Sequence, residues 1–168
     1  MSETLVRTEP VPASPIVREG VTISLAAPMT RFSIRARQPQ ALESLLNARL
    51  PRKIGATEGG IACLGPDEWL LRAKAGTVIP IGEGLPLAIA DVSDRAICLI
   101  VEGVRAAEVL MSGCPLDLEL FAAGRATRTV YETVEIVLIR EAEDCFHVEV
   151  WRSFAPWLWT ALTTAASH

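Results

Sequence analysis

The chain has 168 residues, 50% of them hydrophobic and 21% charged, with a formal net charge of -4 at pH 7. That length and aliphatic share suffice for one domain, or two closely packed halves, around a buried core. The mildly negative balance argues against a protein that holds nucleic acid by neutralising phosphates. No apolar run approaches the roughly 20 residues a bilayer-crossing helix needs, so neither nucleic acid nor membrane is an expected partner.

Met1 to Ser14 is polar, acidic and proline-bearing, and lacks the basic start and apolar centre of a secretory signal, which predicts a cytoplasmic protein. Pro10, Pro12 and Pro15 disfavour helix, so residues 1–20 are expected to form a flexible arm, either disordered or extended over another surface. Residues 21–168 are then a single α+β domain of two halves, about 21–88 and 89–168.

Phe32, Ile34 and Ala36 alternate with Arg31, Ser33, Arg35 and Arg37, which predicts a half-buried strand with one basic face. Arginines on one strand face repel unless an anion, local carboxylates or an acidic partner surface answers them. Pro39 suits a first helical position, and Leu42, Leu45, Leu46 and Leu50 form an apolar stripe that stops before Pro51. Ile61–Leu64 and Trp69–Ala73 read as a hairpin about Gly65-Pro66-Asp67-Glu68. Lys74 to Pro86, with its glycines and prolines, reads as loop.

A similar order then recurs. Asp91-Val92-Ser93 leads into a strand over Ala96–Val101, and a helix from Val104 to about Ser112 stops at Gly113 and Pro115. Strands over Thr133–Arg140 and Phe146–Trp151 follow, separated by Glu141-Ala142-Glu143-Asp144. Strand, helix, strand, strand thus appears twice, which predicts a pseudo-duplicated α+β architecture.

The chain closes on an aromatic helix. Ser153 is placed to cap it, Pro156 falls in its first turn, and Phe154, Trp157, Leu158, Ala161, Leu162 and Ala165 make one apolar stripe. Trp159 lies off that stripe and Trp151 precedes the cap, so both are candidate interface residues, because large rings dominate interface energetics. With Arg152 and the basic face of Arg31, Arg35 and Arg37 they form the expected docking surface.

Groups that carry catalysis are sparse. His147 and Glu149 alternate with the apolar residues of one strand and make a possible acid–base pair on its outward face, although an ordinary surface pair is the commoner case. Ser93 lacks a nucleophile-elbow context, and the glycine-rich pieces at 55–60 and 82–84 each carry an acid where phosphate would be repelled. Cys63, Cys98, Cys114 and Cys145 are scattered without metal-ligand spacing and read as free thiols. No catalytic, cofactor-binding or metal-binding residue is assigned.

Four motifs, taken in order, resemble the gamma subunit of heterotetrameric sarcosine oxidase across roughly residues 30 to 163. They are Leu64-Gly65-Pro66-Asp67-Glu68-Trp69-Leu70-Leu71, Asp91-Val92-Ser93-Asp94-Arg95, Gly113-Cys114-Pro115-Leu116-Asp117-Leu118, and Arg152-Ser153-Phe154 with Trp157-Leu158-Trp159. The resemblance implies a fold similar to the folate-binding domain of aminomethyltransferases. It also implies a non-catalytic subunit of a complex that oxidatively demethylates sarcosine to glycine, with alpha, beta and delta subunits as partners. In that family FAD, FMN, NAD and tetrahydrofolate belong to the larger subunits and zinc to the small one. A helix commonly precedes the Asp-Val-Ser element there, where this chain has only the short Lys74–Pro86 stretch. The rival reading of the same fold is a stand-alone folate-binding or aminomethyltransferase-like protein.

Overall fold

The structure is a computed structural model that describes residues 8–168; the part of the expected arm in residues 1–7 lies outside the described residues. In chain order the elements are β1 (Ile16–Arg18), β2 (Val21–Leu25), β3 (Met29–Ala36), α1 (Pro39–Leu46), β4 (Thr57–Glu58), β5 (Ile61–Gly65) and β6 (Glu68–Lys74). They continue with β7 (Leu87–Asp91), β8 (Ala96–Glu102), α2 (Ala106–Met111), β9 (Arg125–Tyr131), β10 (Val134–Ala142), β11 (Cys145–Trp151) and α3 (Ala155–Ala165).

These strands make a six-stranded sheet, ordered β1-β2-β8-β11-β10-β9, and a five-stranded sheet, ordered β4-β5-β6-β3-β7. All pairings are antiparallel. The run β3-α1-β4-β5-β6 gives the sheet order β4-β5-β6-β3, and β8-α2-β9-β10-β11 gives β9-β10-β11-β8. The duplication is therefore real, with one more strand per copy than the periodicity predicts. The added strands, β4 and β9, are respectively very short and polar, so neither leaves a hydrophobic pattern.

Side-chain alternation sets the layers. Phe32, Ile34 and Ala36 of β3 join Trp69 of β6 and Leu42 of α1 in one core. Phe146, Val148 and Val150 of β11 join Val109 and Leu110 of α2 and Leu158 and Leu162 of α3 in a second, larger one. The opposite faces of the two sheets meet: Ala62 on β5 packs with Ala126 on β9 and Ile139 on β10, and Ala56 bridges Arg125. The order of layers is helix, sheet, sheet, helix, and the seam between the sheets is the one that carries charge.

Two expected boundaries change. The flexible arm does not extend to residue 20, because Val11 is buried in the larger core and Ile16–Arg18 pairs with β2. The halves do not divide at 88 either: β7 completes the smaller sheet beside β3, while β1 and β2 cross to the larger one beside β8. Apolar Val21 and Ile23 need that core, which satisfies them better than solvent does.

The closing helix is rotated from its expected phase. It starts at Ala155 with Phe154 as the N-cap, and no side chain, Ser153 included, supplies the capping bond. Ala155, Leu158, Trp159 and Leu162 are its buried residues. Small Ala155 and Ala166 let the helix approach the sheet, whereas rings at Phe154 and Trp157 would hold it away. Lys74–Pro86 contains no helix and no strand beyond the end of β6, as its composition predicts.

Candidate interaction surface and the charged seam

Strand β3 turns Arg31, Ser33 and Arg35 toward the larger sheet, and its register places Arg31 directly across from Arg72 of β6. Two opposed arginines repel, so the seam holds only if the other sheet supplies carboxylates. It does. Arg31 Nε donates to Glu149 Oε2 at 2.5 Å, with both side chains 4% exposed. Arg72 donates to Glu141 Oε1 at 2.5 Å and to His147 Nδ1 at 2.9 Å. Arg35 and Arg128 both donate to Glu68, Arg128 through two nitrogens.

These environments move the titrations. Burial raises the pKa of the Glu149 carboxyl, against the pull of Arg31 and Arg72. Burial lowers that of His147, and adjacent Arg72 adds to the effect. The Arg128 hydrogen bond lowers Glu68. Glu149 Oε1 and Arg72 Nε have no hydrogen-bond partner among the described residues. Beside the network the sheets leave a cleft of about 140 Å³, lined by Ser33, Leu64, Arg95, Arg128, Glu149 and Trp151 among others.

The candidate interface residues separate accordingly. Arg31 is withdrawn from the docking surface, since it is sealed in the seam by Glu149. Trp159 is withdrawn as well, because the helix phase puts it 7% exposed in the core. Arg35 and Arg37 reach solvent, with Arg35 ion-paired to Glu68 and Asp67. Arg152 turns back on its own chain, donating to the Thr8 carbonyl and to Glu9. Trp151 is 43% exposed under the Arg95 guanidinium, whose central carbon lies 4.0 Å from the ring centroid. The outward acid–base pair is also corrected: His147 and Glu149 face the second sheet, and each spends its contacts on an arginine.

Phe154 and Trp157, assigned to the core by periodicity, are 46% and 40% exposed. Phe154 lies 6.4 Å from Trp151 between ring centroids, and Trp157 meets Tyr131 edge-on at the same separation. The helix is apolar on more than one face, so the stripe through Phe154 and Trp157 competes with one through Ala155, Leu158, Trp159 and Leu162, and the latter is the one buried.

The motifs hold turns. Asp91 Oδ1 accepts from the Ser93 backbone N–H at 2.8 Å and from its hydroxyl, and Ser93 Oγ in turn accepts from the Arg31 N–H. The Ser93 hydroxyl bond lowers the Asp91 pKa. Asp117 accepts from the Glu119 N–H at 3.0 Å. The four cysteines are free; Cys63, Cys98 and Cys114 are buried. Among the described residues no three His, Cys, Asp or Glu side chains group as a metal-ligand set, and no helix is long and apolar enough to cross a membrane.

Known proteins share this framework. The chain is 29% identical over 145 residues to the sarcosine oxidase subunit gamma of Corynebacterium sp. (strain U-96), covering 76% of this chain and 70% of the relative. A chain of the heterotetrameric sarcosine oxidase from Corynebacterium sp. U-96, solved in complex with pyrrole 2-carboxylate, superposes with a TM-score of 0.83. Its identity is 27%, and the match covers 92% of this chain and 88% of that one. The glycine cleavage system aminomethyltransferase T from Bartonella henselae superposes at a TM-score of 0.65 and 17% identity, over 86% of this chain and 46% of that one, a likeness of fold. The family model for the sarcosine oxidase gamma subunit matches residues 30–168, and the chain belongs to that family.

Proposed function

We propose that this chain is the gamma-type subunit of a heterotetrameric sarcosine oxidase, in which it serves structure and assembly while catalysis takes place on its partners. The carrying observation is the family match over residues 30–168, reinforced by superposition on 88% of a chain from such a heterotetramer. The assembled enzyme would demethylate sarcosine oxidatively to glycine. Its partners are alpha, beta and delta subunits, with FAD, FMN, NAD and tetrahydrofolate held by the larger ones and zinc by the small one.

The seam supports a structural role. Arg31 with Glu149, Arg72 with His147 and Glu141, and Arg128 with Glu68 bond across the two sheets at three points, an arrangement that specifies how the sheets pack. The exposed Arg35, Arg37 and Trp151 remain candidate interface residues, to which Phe154 and Trp157 are now added. Specific stable interfaces bury on the order of 1,200–2,000 Å² in total, so several such surfaces act together. Co-expression with the three other chains is expected to yield a stoichiometric complex on a sizing column at moderate salt. Clean separation of this chain from an otherwise active complex would refute the proposal.

A further inference from the structure

The exposed rings at the end of the larger sheet come with an unanswered charge. Trp151 closes β11 with its ring 6.4 Å from that of Phe154, which caps α3, and Trp157, also exposed, stands one helical turn on against Tyr131. Arg95, exposed over the Trp151 ring, donates no side-chain hydrogen bond and has no carboxylate within ion-pair distance among the described residues. The seam arginines Arg31, Arg35, Arg72 and Arg128 each have one.

Covering the rings is favourable in proportion to the apolar area removed from water, but a cover that buries them also strips water from Arg95. A guanidinium desolvated without an anion is costly, and one stacked on indole keeps its fork ready for a carboxylate. A second copy joined through the same patch would set cation against cation, since a two-fold contact repeats one surface. The covering surface must therefore combine apolar side chains with an acid.

We propose that Arg95, Trp151, Phe154 and Trp157 form a docking site for a segment of another subunit of the complex, one that lays an apolar side chain on the rings and gives a glutamate or aspartate to Arg95. The inference rests on the subunit reading above and adds the chemistry of the partner. Hydrogen bonds to charged groups and aromatic anchors are the contacts whose loss is felt most at interfaces.

The test uses the full chain co-expressed with its partner subunits. Arg95→Glu is expected to weaken association at least about tenfold, the loss typical of a charged hydrogen bond, and Trp151→Ala with Phe154→Ala to weaken it similarly. Lys53→Glu, at an exposed site on another loop, leaves it unchanged. Hydrogen exchange in the wild-type complex should show new protection across residues 151–157. Wild-type assembly by Arg95→Glu, or absence of that protection, overturns this proposal while leaving the subunit reading intact. Self-association of the isolated chain that Arg95→Glu abolishes overturns it in favour of a second copy. Failure of the wild-type chain to assemble at all defeats both.

Discussion

Arg31 on β3 and Glu149 on β11 face each other at 2.5 Å across the seam, each 4% exposed, and tie the two halves of the duplicated fold together. Each side chain is made tolerable inside by the other. Removing one leaves the second desolvated and uncompensated, whereas removing both leaves an apolar gap that hydrophobic side chains can fill.

Arg31→Ala is accordingly expected to destabilise the chain by about 3–5 kcal/mol, and Arg31→Met with Glu149→Leu to recover most of that loss. Urea unfolding at neutral pH measures both. Equal destabilisation by the single and double substitutions would show that the pair is not what joins the sheets.

His147 provides a pH dependence of defined sign. Its pKa is lowered in the fold by burial and then by Arg72, so below the ordinary histidine value of about 6.5 the unfolded chain binds more protons than the folded one. Stability is then expected to rise with pH from the lowered folded value up to that ordinary value, and to be insensitive to His147 above it. Glu149, raised by burial, acts oppositely: the folded chain holds the extra proton, so its contribution declines as pH rises from the ordinary carboxyl value to the raised one. Comparing unfolding free energies of the wild type, His147→Gln and Glu149→Gln across pH 4 to 8 separates the two slopes. A slope unchanged in His147→Gln would contradict the first assignment.

The rotated phase of α3 predicts unequal tryptophans. Trp159→Ala removes a buried ring and should cost about 3–5 kcal/mol. Trp157→Ala forfeits an edge-on contact with Tyr131 and should cost only about 1 kcal/mol. Thermal or urea denaturation decides between this phase and the alternative, in which the two magnitudes would be exchanged.

Gly113, the first residue of the Gly-Cys-Pro-Leu-Asp motif, has a packing reason. A Cβ there would lie 2.5 Å from Tyr131 Cε1, and that ring is 2% exposed with its hydroxyl bonded to Ser112. Gly113→Ala should therefore displace the ring and destabilise by about 1–3 kcal/mol, seen as a lowered Tm together with a changed Tyr131 environment in near-UV circular dichroism. An unchanged spectrum and Tm would remove this explanation of the motif.

Local chemistry was legible where one periodicity or one turn residue settled the matter. Pro39 opening α1, the Gly65–Glu68 reversal, the alternation of β3 and the helix stop at Gly113 all follow from interactions within a few residues. The order of helix and strands in the two copies came from the same signals, and four motifs sufficed to indicate the family.

What neighbours in the chain could not decide was which partner each face meets. Alternation put Arg31 and Arg35 on one side of β3, but whether that side met solvent or a second sheet depended on Glu149 of β11, 118 residues from Arg31, and on Arg128 of β9, which meets Glu68 beside Arg35. Trp157 and Trp159 are both apolar residues of one helix, and only the close approach of Ala155 to the sheet determined which was buried. β2 and β7 likewise became strands through pairing with segments distant in sequence. Composition and short-range pattern thus determined elements, turns and kinship. Burial of charge and ring was decided in the tertiary structure, because desolvation and ion pairing depend on distance in space, which the folded chain alone establishes.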